Sequence, residues 1–140
     1  MSIRVGDVAR RQFVVDQSTM AWFRQVSQDT SRIHCDADYA KSRGFAGVVV
    51  YGGIMLAHLS HLLGTQIPGQ NGTSVDWSIK YHGPLYLDEP AEIVLEVTFV
   101  SPGTGVVQSR FAVMAGDRTV ATGTAQSVVP LDEIRADRAT

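Results

Sequence analysis

A chain of 140 residues with 44% hydrophobic residues is long enough to bury one core and short for two ordinary domains. Its net charge of -2 sets up no field that would attract nucleic acid or an acidic membrane surface, so neither is expected as a partner. The single cysteine, Cys35, excludes an internal disulfide and any C-x-x-C metal or redox pair, which suits a reducing compartment, by default the cytoplasm.

The opening MSIRVGDVARRQF has no apolar segment before a small-residue cleavage site, and no secretory signal is expected. Arg11 to Val15 is short and β-branched and runs into the cap-like Ser18 and Thr19, so it predicts a strand leading into a helix. That helix carries Thr19, Trp22, Phe23 and Val26 at three- and four-residue spacings and should end near Asp29. Asp36 is placed to N-cap a short second helix through Tyr39 and Ala40, broken at Ser42-Arg43-Gly44.

The apolar run from Phe45 to Leu63 approaches the ~20 residues of a membrane span. Its glycines, Ser60, His58 and His61 favour a buried helix instead, beginning near Gly52 and stopping at Gly64. A helix apolar on nearly every side belongs inside the fold. Val75, Trp77, Ile79 and Tyr81 then alternate with polar residues, the period of a strand with one face on the core. Ala91 to Val100, Gly105 to Ala115 and Arg118 to Val128 are joined by Ser101-Pro102-Gly103 and Gly116-Asp117, which predicts an antiparallel meander. From about residue 130 the chain is expected to be an irregular tail.

These elements describe one α+β domain over residues 1–140, a central buried helix wrapped by a curved antiparallel sheet, the layout of a hotdog fold. Its sheet edges are managed most simply by pairing two copies, so a homodimer is expected.

Asp29 falls at the end of the first helix, where the macrodipole gives a carboxylate no support. His34 lies five residues on, just before the next cap, and the turn can bring the two side chains together around a water. A carboxylate and an imidazole together supply a base and an acid near neutral pH. An acid and a histidine at this spacing are more usually solvated or capping residues, so spacing alone does not make a site. Gly52 and Gly53 add to it: at a helix N-terminus glycine admits a ligand to the backbone, and the free N–H groups stabilise an oxyanion. Tight packing is the competing reason for either glycine.

The segment D-T-S-R-I-H, then D-x-x-Y-A, then G-F-A-G-V-V-V-Y-G-G and a buried helix resembles the MaoC-like, R-specific enoyl-CoA hydratase family, whose motif reads roughly D-x-N-P-x-H followed by an apolar H-G. The match continues through SVDWSIKYHGPLYLDEPAEI. The resemblance implies a lyase that adds water reversibly, in syn fashion, to a trans-2-enoyl thioester of CoA or a carrier protein, giving the R-3-hydroxyacyl thioester without a cofactor or a metal. It puts Asp29 at the catalytic acid and His34 at the catalytic histidine, and Gly52 at the amide that binds the thioester carbonyl. Tyr51, Gly53, Ser31 and Ser60 complete the expected substrate-binding set, Ser60 standing where such hydratases often carry a polar helix residue near the acid. Ser31 and Arg32 replace the usual Asn and Pro, and Tyr51 the usual His, which bears on how the acid and histidine are held.

Other polar residues weigh less. His58 and His61 are three apart on one helix without an evident third ligand, and Cys35 reads as a small buried filler. Lys80, His82, Arg43 and Arg110 are candidates for the phosphates of a CoA or carrier arm. Two rival readings stay open: a hotdog acyl-CoA thioesterase, which usually carries its acid on or beside the central helix, and a non-catalytic hotdog subunit that stabilises an active partner.

Overall fold

The computed structural model describes residues 2–135. Five strands, β1 (Val8–Phe13), β2 (Thr73–Tyr81), β3 (Ala91–Val100), β4 (Val106–Ala115) and β5 (Arg118–Val128), form one antiparallel sheet in the order β1-β3-β4-β5-β2. Strands β3, β4 and β5 are the expected meander. The strand Thr73–Tyr81 does not join its sequence neighbour; it returns to the far edge beside β5, and β1 closes the other edge beside β3.

Helix α1 (Gln17–Ser27) starts where the Asp16 carboxylate accepts the Thr19 N–H at 2.9 Å, and stops at Gln28, which turns left-handed at φ 56°. Met20 is its buried residue and Phe23 packs on the core, whereas Trp22 and Val26, expected on the same face, are exposed. A one-turn helix, α2 (Arg32–Cys35), lies in what read as a loop. Asp36 then caps α3 (Ala37–Ser42), accepting the Tyr39 N–H at 3.0 Å, as its position predicts. Helix α4 (Gly52–Thr65) runs one residue past Gly64, and a single turn, α5 (Asp132–Arg135), occupies the part of the tail that can be described. The rest of the tail lies outside the described residues.

Ile54, Met55, Leu59, Leu62 and Leu63 of α4 are buried against a sheet face made by alternate residues of β3 and β4, among them Ile93, Leu95, Phe111 and Val113. The period of two puts Arg110 and Gln108 on the opposite, solvated face, where Arg110 pairs with Glu96 at 2.9 Å. Helix α4 makes most of its sheet contacts with β1 and β3, and meets β2 at the Tyr81 ring beside Gly52. The strand expected to rest half on the core is largely open: Val75, Trp77 and Tyr81 are 54%, 38% and 49% exposed. Among the described residues no helix is long and apolar enough to cross a membrane.

Candidate active site

The left-handed turn at Gln28 delivers Asp29 into a short polar loop. The Asp29 N–H donates to the Ser27 hydroxyl at 3.1 Å, and its carboxylate Oδ1 accepts both the N–H and the hydroxyl of Ser31, at 2.9 and 2.6 Å. These bonds, the Ser31 hydroxyl first, hold the Asp29 carboxyl below its ordinary pKa, with a smaller contribution from nearby His34. Both fall on Oδ1, which leaves Oδ2 for a further donor such as water.

Ser31 opens α2, which lifts His34 over the strand-like segment before α4. Ile33 accepts the Val49 N–H at 2.9 Å, and the Val49 carbonyl lies 2.7 Å from Nδ1 of His34. A carbonyl can only accept, so Nδ1 carries the proton and Nε2 is left with a free lone pair. The imidazole stacks on Tyr51 with centroids 4.3 Å apart.

Tyr51 is 1% exposed and occupies the N-cap position of α4. Its hydroxyl donates to the Asp29 carbonyl and accepts from Arg24 Nε at 3.2 Å, with Cys35 Sγ 3.6 Å away. Burial raises its pKa. The expectation that Tyr51 contacts substrate is corrected accordingly: the phenol is spent on protein groups, and it joins the Asp29 loop, α1 and the His34 ring at one point. Ser31 likewise spends its hydroxyl on Asp29. Cys35 is exposed and not a buried filler, and Arg32 faces outward, paired with Asp36 at 3.2 Å and lying over the Tyr39 ring.

An apolar pocket of about 430 Å³ opens between α2, the start of α4 and the end of β2, with His34, Gly52, Met55, Tyr81, Phe45 and Leu85 in its wall. Tyr51 makes no side-chain cap bond, so the N–H of Gly52, which lines the pocket, has no intrahelical acceptor. The two glycines have different reasons. A Cβ on Gly53 would lie 2.4 Å from the Phe23 ring, so Gly53 serves packing between α1 and α4. A Cβ on Gly52 would strike Tyr81, 2.5 Å from Cζ and 2.6 Å from the hydroxyl, so Gly52 keeps its amide clear beside a tyrosine that lies outside the Asp-His and Y-G-G motifs. The signal was its place as the last member of the Val75-Trp77-Ile79-Tyr81 alternation, a residue with a polar tip where the strand reaches the bend.

Ser60 is exposed, two turns and about 12 Å along α4 from Gly52, and does not line this pocket. Of the residues expected to set pocket depth, Phe45 and Met55 are in the wall, Leu59 is in the core, and Trp22 is at the surface. His58 stacks on Phe13 at 4.0 Å. His82 lines the pocket mouth with Nε2 2.7 Å from the Thr122 hydroxyl.

The pocket wall holds a histidine with a directed lone pair and the uncapped Gly52 amide, with the Asp29 carboxylate near the histidine although not among the lining residues, an arrangement that can move a proton to or from water next to a polarised carbonyl. Solved structures with this fold bear on the class. The (R)-hydratase from Aeromonas caviae superposes with a TM-score of 0.87 at 25% identity, covering 92% of this chain and 98% of that one. Curated relatives include the (R)-specific enoyl-CoA hydratase of Rhodospirillum rubrum, 27% identical over 91% of this chain and 89% of its own. The 3-hydroxybutyryl-CoA dehydratase of Methylorubrum extorquens is 23% identical over 85% of this chain and 76% of its own. The molecule is a hotdog-fold enzyme of the hydratase/dehydratase class. Residues 6–121 match the model of the MaoC like domain, and the chain belongs to that family.

Proposed function

We propose that this enzyme adds water reversibly to a trans-2-enoyl thioester of CoA or a carrier protein, giving the R-3-hydroxyacyl thioester. The observation that carries the reading is the Nδ1 contact of His34 with the Val49 carbonyl, which holds the ring in the wall of a pocket shared with the uncapped Gly52 amide. In this reading the thioester oxygen accepts from Gly52 N–H, and the conjugated double bond is polarised so that C3 becomes electrophilic. Asp29 and His34 bind the attacking water between them. Asp29, whose carboxyl is held below its ordinary pKa, orients the water through one of its hydrogens, and the His34 Nε2 lone pair takes the other proton and passes it to C2 as the C3–O bond forms, so both groups end as they began. Dehydration uses the same groups in reverse. No cofactor is required.

The uncovered strip of Val75, Trp77 and Tyr81 on edge strand β2 supports a homodimer joined along this face, and the single cysteine supports a cytoplasmic setting. The thioesterase alternative fits poorly, because the helix GGIMLAHLSHLLGT contains no carboxylate.

Crotonyl-CoA and a longer trans-2-enoyl-CoA test the reading, with the conjugated absorbance and free thiol followed together. Loss of absorbance without thiol, reduced at least about 100-fold in Asp29→Asn and His34→Gln, is the expected result. Thiol release selects the thioesterase, and no turnover with either substrate favours the non-catalytic subunit.

A further inference from the structure

We infer that Tyr81 is a second hydrogen-bond donor to the thioester oxygen, completing with the Gly52 amide a two-donor site for the negative charge that develops there. This rests on the thioester chemistry proposed above and extends it to a residue outside the Asp-His motif.

The placement is set by the fold. Tyr81 ends β2, pairs with Ala121 of β5, and carries its ring across the start of α4 into the same pocket wall as His34 and Gly52. Its hydroxyl oxygen lies 2.6 Å from the point where a Gly52 Cβ would be. Since that point is about 2.5 Å from the Gly52 nitrogen in any tetrahedral residue, hydroxyl and amide are separated by no more than about 5 Å. Two donors that each approach one oxygen to about 2.9 Å can stand up to about 5.8 Å apart, so a single carbonyl oxygen can accept from both.

The hydroxyl is also uncommitted. Burial alone shifts the Tyr81 pKa, upward, with no hydrogen bond contributing. The contrast with Tyr51 is direct, since that phenol is held by Asp29, Arg24 and Cys35. A neutral phenol beside the pocket, kept protonated into the alkaline range, is a donor available to a ligand and to water alone until one arrives. A methyl group at position 52 would displace this ring, which fills that space.

As the carbonyl gains charge in the transition state, a donor aimed at it strengthens, so removal should act on kcat more than on KM. The test uses Tyr81→Phe, which keeps the ring and its packing, in two measurements on the intact protein. Hydration of crotonyl-CoA should lose about 10- to 100-fold in kcat with KM changed less than about threefold. Independently of turnover, the infrared carbonyl band of bound butyryl-CoA, labelled with carbon-13 at the thioester carbon, should be lowered by the wild type and should move back towards the free value in Tyr81→Phe. A kcat within twofold of wild type together with an unmoved band overturns the assignment. Wild-type protein that lowers the band but does not hydrate keeps the carbonyl site and overturns the hydratase reading; wild-type protein that does not bind butyryl-CoA overturns both.

Discussion

At the scale of single residues the site depends on which hydrogen bonds are already spent. Tyr51 is the clearest case, because its hydroxyl ties the Asp29 carbonyl to Arg24 while its ring supports His34. Tyr51→Phe keeps the stacked ring and removes the tie, so kcat should fall about tenfold at a stability cost of about 1 kcal/mol, read by enzyme assay and urea titration. A His at this position, usual in the family motif, would need other partners, and Tyr51 with Ser31 supplies this chain's own way of fixing the acid loop. His58 gives a separate test of electrostatics. Burial first, then Arg11 and His61, lower its pKa from the ordinary 6.5 to about 4. The unfolded chain therefore binds the extra proton between these values, so the native state loses stability as pH falls from about 6.5 to 4, and the loss is complete below that window. The side chain is only about half buried, so solvent screening reduces the effect to about 1–2 kcal/mol. Urea midpoints at pH 5 and 7.5 should differ less in His58→Gln than in the wild type, and an equal difference would exclude His58 as the source.

At the scale of elements, α4 is held to α1 by the contact of Gly53 with Phe23. Gly53→Ala should destabilise the protein by about 1–3 kcal/mol through overpacking, measured as a shift in the urea midpoint, whereas activity per folded molecule should change little. Gly123 of β5 is less tolerant: its Cβ would meet the Ser78 carbonyl at 2.0 Å and the Phe111 ring at 2.5 Å. Backbone cannot yield as a side-chain tip can, so Gly123→Ala should prevent the β2 edge from pairing. Periodicity revealed the buried helix, the meander and the Asp36 cap because each is a local pattern of side chains. It did not reveal α2, whose four residues are too few to show a period, or the return of β2 to β5, which is a long-range pairing. The site divides in the same way. Asp29, His34 and Gly52 stand in one recognisable stretch, but the Val49 carbonyl that sets the His34 tautomer has no side-chain signature, and Tyr81 reaches Gly52 only because β2 runs along the far edge of the sheet. Ser60 is expected near the acid only on the family resemblance, and its exposed side chain stands outside the pocket.

At the scale of the molecule, the uncovered β2 face and the pocket are continuous, since Tyr81 belongs to both. A second copy packed there would cover Val75 and Trp77 and shield the pocket mouth from water. Trp77→Glu should then convert a dimer to a monomer in sedimentation velocity and reduce hydration with it; a wild type that sediments as a monomer contradicts the dimer and leaves the edge to another partner. The central claim is that His34, Asp29 and the Gly52 amide direct water to one face of an enoyl thioester. Its most direct test is the configuration of the product formed from crotonyl-CoA by the wild type and by Asp29→Asn and His34→Gln, resolved by chiral chromatography. The account predicts R-3-hydroxybutyryl-CoA from the wild type and at least about a 100-fold loss of its formation in both variants. Racemic or S product, or variants that retain wild-type rates, would contradict it.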